Sequence, residues 1–272
     1  MTSSIECTAV HATQAQKVWG PLKAAHSWQC QREAAPFALT NRDFLAHAFH
    51  RCGPDESPWV TGFPGDPGTV EPARWAGRSA LPLPNVIRDD HNNYVVVSVF
   101  KVGPDGRIHR RKDHFSAMPV VMIDDVGTKV PFERLLLEPT CLVETSPGNF
   151  QAWYFLREPV RDRTRAEALI RGLIASGLTA DGADPGMNGV TRYGRLPVGI
   201  NGKAKYADAA GNPFVQRVAH WSPSTRYAVE DIAQAYGIDL AMPPPGGRSV
   251  RRSKPRPPAR ASGNSSCAGY GW

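Results

Sequence analysis

"VVMIDDVGTKVP", Val120–Pro131, sets two carboxylates side by side where a run of four apolar residues ends. Adjacent anions repel each other. They are tolerated if water screens them or if a cation sits between them, so the stretch reads either as a solvated turn or as a metal site. Side chains alternate faces along a strand, so neighbouring aspartates can share an ion only where the strand ends and its twist is lost. Val126-Gly127 supplies such an ending. Hard cations such as Mg²⁺ take carboxylate oxygens, usually few of them, with substrate phosphates completing the shell.

The apolar run Met118–Ile123 predicts a central strand, covered on both faces. Upstream, "YVVVSVF" (Tyr94–Phe100) is a β-branched run that predicts another strand, followed by a turn at Gly103–Gly106. Downstream, Cys141–Glu144 and Phe150–Leu156 predict a hairpin closed by "TSPGN". Pro147-Gly148 suits a type II turn there, with Pro second and Gly third. Thr164 and Glu167 predict a capping box for a helix over Arg165–Ser176, ended by Gly177. A strand over Phe214–Trp221 and a helix over Val229–Tyr236 follow. Nearer the start, Asn41 predicts the cap of a helix through His50. Residues 53–84 are rich in Pro and Gly and hold Trp59, Phe63 and Trp75, the composition of an ordered loop. Irregular alternation of strands and helices with a hairpin inside points to an α/β or α+β sheet domain.

The chain has 272 residues, 41% of them hydrophobic, and a formal charge of +7. Six of its 32 cations (Arg248, Arg251, Arg252, Lys254, Arg256 and Arg260) fall in residues 243–272, which hold no acid. The rest is nearly neutral, with 26 cations against 25 acids, which argues against a uniformly basic binding surface. The last thirty residues are dominated by Pro, Gly, Ser and Arg and predict a disordered tail. Five scattered cysteines without a Cys-x-x-Cys pair argue against a disulfide framework and suit a reducing cytoplasm. No signal peptide and no membrane-spanning run are expected. His47, His50 and Cys52 lie close together but match no standard zinc spacing.

Two further stretches carry candidate chemistry. In "VETSPGNFQAWYF", strand alternation puts Gln151 on the face of Trp153 and Phe155, where a polar residue either marks the sheet's edge or faces a ligand. "DGADPGMNGVTRYGRLPVGINGKAKY" (Asp181–Tyr206) is long and glycine-rich, and concentrates Asp184, Arg192, Arg195, Asn201, Lys203 and Lys205. It reads as a charged surface loop or as a binding loop. Long loops within compact domains are often functional, and arginines give bidentate phosphate contacts.

These three stretches, in this order, resemble the RepB-like DNA primases of plasmids and phages, within the archaeo-eukaryotic primase or primase-polymerase superfamily. The resemblance covers about Val86 to Leu240. It implies an α/β unit packed on an RRM-like sheet unit, with the active site in the cleft between them. The implied division is an N-terminal region over 1–85, a catalytic core over 86–242 and the tail over 243–272. The implied activity is template-directed nucleotidyl transfer with two divalent ions, Mg²⁺ or Mn²⁺. The family's first acidic motif falls on Asp124 and Asp125. Its later acid is best matched by Asp184, with Asp181 as the alternative. The wider superfamily's Ser-x-His motif is replaced here by a hairpin that carries Gln151, a departure shared by RepB-like members. Triphosphate binding then falls to Arg192, Arg195 and Lys203, with Asn201 beside them. The implied partners are a single-stranded DNA template and nucleoside triphosphates, together with a separate helicase or replication initiator, since no Gly-x-x-x-x-Gly-Lys-Ser/Thr helicase motif occurs; no membrane partner is implied.

Two rivals remain. A two-metal nuclease of the common pattern needs a lysine two residues after its second acid, and Glu144-Thr145-Ser146 lacks it. A non-catalytic nucleic-acid-binding module of the same fold is the other.

Overall fold

The computed structural model describes residues 39–80, 83–178 and 189–241. The fold is mixed α+β, built on a largely antiparallel sheet. Its strands are β1 (Glu56–Phe63), β2 (Arg78–Ser79), β3 (Asn92–Lys101), β4 (Phe115–Val126), β5 (Cys141–Ser146), β6 (Asn149–Val160), β7 (Tyr193–Arg195), β10 (Arg217–Trp221) and β11 (Arg226–Tyr227). A separate two-stranded ribbon joins β8 (Ile200–Asn201) to β9 (Phe214–Val215). The helices are α1 (Asn41–Ala48), α2 (Arg163–Ala175) and α3 (Val229–Ala235). Across the sheet the order is β10-β5-β6-β4-β3-β1-β2, with β7 on β3 and β11 parallel to β6.

β4 links the two halves of this sheet. Its start pairs with β3, at Phe115 and Ala117. From Met118 onward it pairs with β6 instead. A space therefore opens between the β3–β7 half and the β4–β6 half, beyond the point where β4 leaves β3.

Strict alternation places the core. Val121 and Ile123 of β4, with Ala152, Tyr154 and Leu156 of β6, face α2 and α3. Val120 and Met122, with Trp153 and Phe155, face α1 and the side chains of β1 and β3. Both faces of β4 are covered along Met118–Ile123, which is why that run is continuously apolar. Phe44 of α1 packs edge-on against Trp153 and Phe155, with centroids 5.3 and 5.4 Å away. Asn41 at the start of α1 donates to the Val198 carbonyl at 2.8 Å and accepts the Val198 N–H at 3.0 Å.

Several expected elements shift. The predicted loop over residues 53–84 contains β1, an eight-residue strand paired along β3. Pro58 disguises it, since proline is confined to sheet edges and bulges, and the ladder does change register between Pro58 and Val60. Helix α2 starts at Arg163, and Asp162 rather than Thr164 caps it, accepting from the N–H groups of Thr164 and Arg165. Glu167 pairs with Lys112 at 2.9 Å. At α1 the cap is Thr40, in a capping box with Asp43, and the helix ends at Ala48. The predicted strand over Phe214–Trp221 is two strands: Gln216 breaks it, and each half pairs with a different partner. The hairpin turn is as expected, with Gly148 at φ 71°. Among the described residues, no helix is long and apolar enough to cross a membrane.

Candidate active site

The Asp124–Asp125 pair sits in a β-bulge. Ile123 pairs with Ala152, and the next register pair is Val126 with Phe150. Two residues of β4 therefore oppose Gln151 alone, the signature of a bulge. Asp124 continues the series of Val120 and Met122. Asp125 is the extra residue, and Val126 rejoins the face of Ile123. Asp125 has φ 57° and is the one non-glycine residue with positive φ among the described residues. Aspartate tolerates this left-handed conformation better than most residues. The loop beyond it holds the conformation in place, because the N–H groups of Thr128, Lys129 and Val130 all reach the Asp125 carbonyl, at 2.9–3.3 Å. The sequence reading needed the strand to end at this point. The bulge meets the same need while the strand continues.

Both carboxylates line a cavity of about 630 Å³ at the opening between the sheet halves. Asp124 Oδ1 accepts from Gln151 Nε2 at 3.1 Å, and Asp124 Oδ2 accepts from Arg192 Nη2 at 2.9 Å. Asp125 Oδ2 accepts from Lys129 Nζ at 2.7 Å. Gln151 is buried, and its Oε1 takes the backbone N–H of Arg195 at 2.8 Å. Gln151 stands on β6, between β5 and β4 rather than at the sheet's edge, and it lines the cavity.

The sequence candidates in the glycine-rich segment divide into two kinds. Arg195 is 6% exposed, and its guanidinium bonds within the chain, to Asn92 Oδ1 (3.3 Å), the Ile200 carbonyl (2.9 Å) and Asn201 Oδ1 (3.0 Å). It lies 4.8 Å from the Tyr94 ring centroid, and burial lowers its pKa from the ordinary arginine value. Asn201 is equally engaged, donating to the Thr145 carbonyl at 2.7 Å. These two residues brace the wall, and their edges line the cavity. Arg192 and Lys203 are the more accessible pair. Lys203 is exposed and makes no ion pair among the described residues. Asp184 and its alternative Asp181 lie outside the described residues.

Sequence reasoning missed Arg110. It lines the cavity, donates to the Thr191 carbonyl at 2.9 Å, and sits 4.5 Å above the Tyr193 ring. It makes no ion pair among the described residues, so its remaining donors are available to an anion. Burial pushes the Tyr193 phenol up to about 12, so it keeps its proton at neutral pH. Tyr94, Tyr193 and Trp75 give the cavity an aromatic side. Of these residues, Tyr193 alone stands in one of the three motif stretches. They meet through pairings such as Arg110–Thr191 and Tyr193–Trp75, across 81 and 118 residues of chain.

A cleft that sets paired carboxylates beside arginines can hold a polyanion together with a divalent cation. No group of three His, Cys, Asp or Glu side chains that could hold a metal occurs among the described residues. Asp124 and Asp125 alone still offer the hard oxygen donors that Mg²⁺ or Mn²⁺ takes, in the number such ions use when substrate phosphates complete the shell.

The chain belongs to the RepB DNA-primase N-terminal domain family, whose pattern it matches over residues 102–243. The match contains Asp124, Asp125, Gln151, Arg192 and Arg110, and it begins after β1, β2 and β3. Similar solved structures include the AEP domain of the cyanophage S-2L primase-polymerase, with 13% identity over 71% of this chain and 94% of that one, at a TM-score of 0.47. The catalytic domain of primase RepB' in complex with initiator DNA shares 18% identity over 72% and 93%, at 0.44. A second structure of primase RepB' shares 18% over 73% and 62%, at 0.44. No curated protein matches the chain.

Proposed function

We propose that the protein is a primase that makes a short primer on a single-stranded DNA template by nucleotidyl transfer, in plasmid or phage replication. The observation that carries this reading is the bulge, which turns both Asp124 and Asp125 into an arginine-walled cavity within the family-matched region. Two divalent ions, Mg²⁺ or Mn²⁺, held by Asp124 and Asp125 with Asp184 as the third acid, would lower the pKa of the attacking 3′-hydroxyl and steady the leaving pyrophosphate.

The chain's own residues do the rest. Gln151 fixes the orientation of Asp124 through one hydrogen bond. Arg192 balances the Asp124 charge and stands beside the triphosphate's place. Arg110 and Lys203 offer donors to phosphate oxygens, and Arg195 with Asn201 holds the wall rigid. A separate helicase or replication initiator would deliver the template.

The test is primer synthesis on single-stranded DNA with ribo- or deoxynucleoside triphosphates and Mg²⁺ or Mn²⁺. Asp124→Asn and Asp125→Asn should each nearly abolish synthesis and weaken Mn²⁺ binding in the folded protein. Synthesis at wild-type rates in both folded variants would overturn the assignment. Cleavage of the template without synthesis would identify a nuclease, and DNA binding without either activity a non-catalytic module.

A further inference from the structure

We propose that Trp75 is the base-stacking residue of this site, the flat surface against which a nucleotide base lies while its phosphates meet the arginines. The inference rests on the nucleotide-handling function proposed above. Trp75 lies in a short 3-10 segment, Pro72–Ala76, outside the family-matched residues.

Three consecutive carbonyls of that segment are each fastened by a side chain from elsewhere. Thr61 Oγ1 donates to the Arg74 carbonyl at 2.7 Å, Tyr193 Oη to the Trp75 carbonyl at 3.1 Å, and Trp59 Nε1 to the Ala76 carbonyl at 2.8 Å. The segment leaves through Gly77 at φ 66°, where a Cβ would lie 2.3 Å from Trp59 Nε1 and 2.5 Å from Tyr193 Oη. The indole itself packs against Phe63 and Tyr94, at 4.9 Å each, and Tyr193, at 6.0 Å. It is nevertheless only half-buried, and what remains lines the cavity. A large indole left partly open in a charged cavity forgoes the gain from burial unless an occupant covers it.

The cavity thus offers two kinds of surface, charged groups and aromatic rings, and among the described residues Trp75 has no guanidinium over it, unlike Tyr193 under Arg110 and Tyr94 under Arg195. A bare phosphate or a metal complex would use the first kind only. A nucleotide matches both, because each base presents a π-face beside an anionic chain. Stacking of this kind is tolerant of base identity, as primer synthesis on varied template requires.

Binding of a nucleoside triphosphate and of inorganic tripolyphosphate to the full chain, with Mn²⁺, separates the two contributions. Wild type should bind the nucleotide at least about ten-fold more tightly than the base-less anion. Trp75→Leu should lose roughly ten-fold for the nucleotide and nothing for tripolyphosphate, while Trp75→Phe keeps most of the affinity. Should the stacked base be a template base, the Trp75→Leu defect appears instead in template binding and disappears on a template with an abasic site. Equal affinity of folded Trp75→Leu and wild type for the nucleotide, for tripolyphosphate and for the template alike would overturn the proposal. Wild-type synthesis alongside an unaffected Trp75→Leu leaves the primase reading standing and removes the stack. Base-dependent binding without synthesis does the reverse.

Discussion

Gln151 Nε2 donates to Asp124 Oδ1 at 3.1 Å while the same amide's oxygen accepts the Arg195 N–H, so one side chain ties the bulge of β4 to the edge of β7. Gln151→Leu keeps the shape but leaves a buried N–H without its acceptor. The expected loss is about 1–3 kcal/mol of stability, read by urea unfolding, with slower synthesis from a loosened Asp124.

Asp125 separates conformation from charge. Asp125→Asn keeps a residue that tolerates positive φ and removes the carboxylate, so stability should stay within about 0.5 kcal/mol while synthesis is lost. Asp125→Ala loses activity equally but should cost about 1 kcal/mol more, since alanine is strained at φ 57°. Thermal melts alongside primer assays check the difference. The Lys129 pair lost in both variants is solvent-exposed on the lysine side and contributes little.

Arg192 competes with any cation for Asp124. Arg192→Gln should tighten Mn²⁺ binding by about ten-fold, measured by titration calorimetry without nucleotide, and should raise the KM for nucleotide. Unchanged Mn²⁺ affinity would show that the 2.9 Å pair gives way to the ion without cost.

Arg195 behaves as framework. Its three internal acceptors and near-complete burial predict that Arg195→Ala loses about 3 kcal/mol of stability and that Arg195→Lys fails to restore it, because an ammonium cannot span the same acceptors. Urea unfolding of both variants is the measurement.

The six cations of residues 243–272, a segment outside the described residues, give a separate test. If several engage single-stranded DNA, deleting them should flatten the slope of log K against log salt by roughly 2–4 units, at about 0.7 per phosphate. Parallel slopes for full-length and 1–242 protein would mean that the tail does not touch DNA.

What the sequence disclosed follows from the range of each interaction. β4 was legible because burial on both faces writes an unbroken apolar run, and the hairpin because Pro147-Gly148 is a local turn signal. Asp124 and Asp125 stood out as a pair, yet the bulge that aims them carries no local mark, since its left-handed residue is Asp and not Gly. β1 was hidden by Pro58. Arg195 was visible as a cation, but its burial depends on Asn92 and Asn201, which the chain brings to it from either side. Arg110 and Trp75 gave no signal because their partners Thr191 and Tyr193 belong to a distant part of the chain.

Asn41 cannot form its two hydrogen bonds until Val198, 157 residues further along the chain, has been translated. At about 5–20 residues per second, α1 waits roughly 10–30 s for its anchor, and β3 waits about two-thirds as long for β7. During that interval the valines of β3 lie beside a vacant edge, which is the condition for mispairing with other chains. Production of this protein should therefore be sensitive to chaperone supply and to growth temperature, with its yield set by events on the ribosome more than by the stability of the finished sheet.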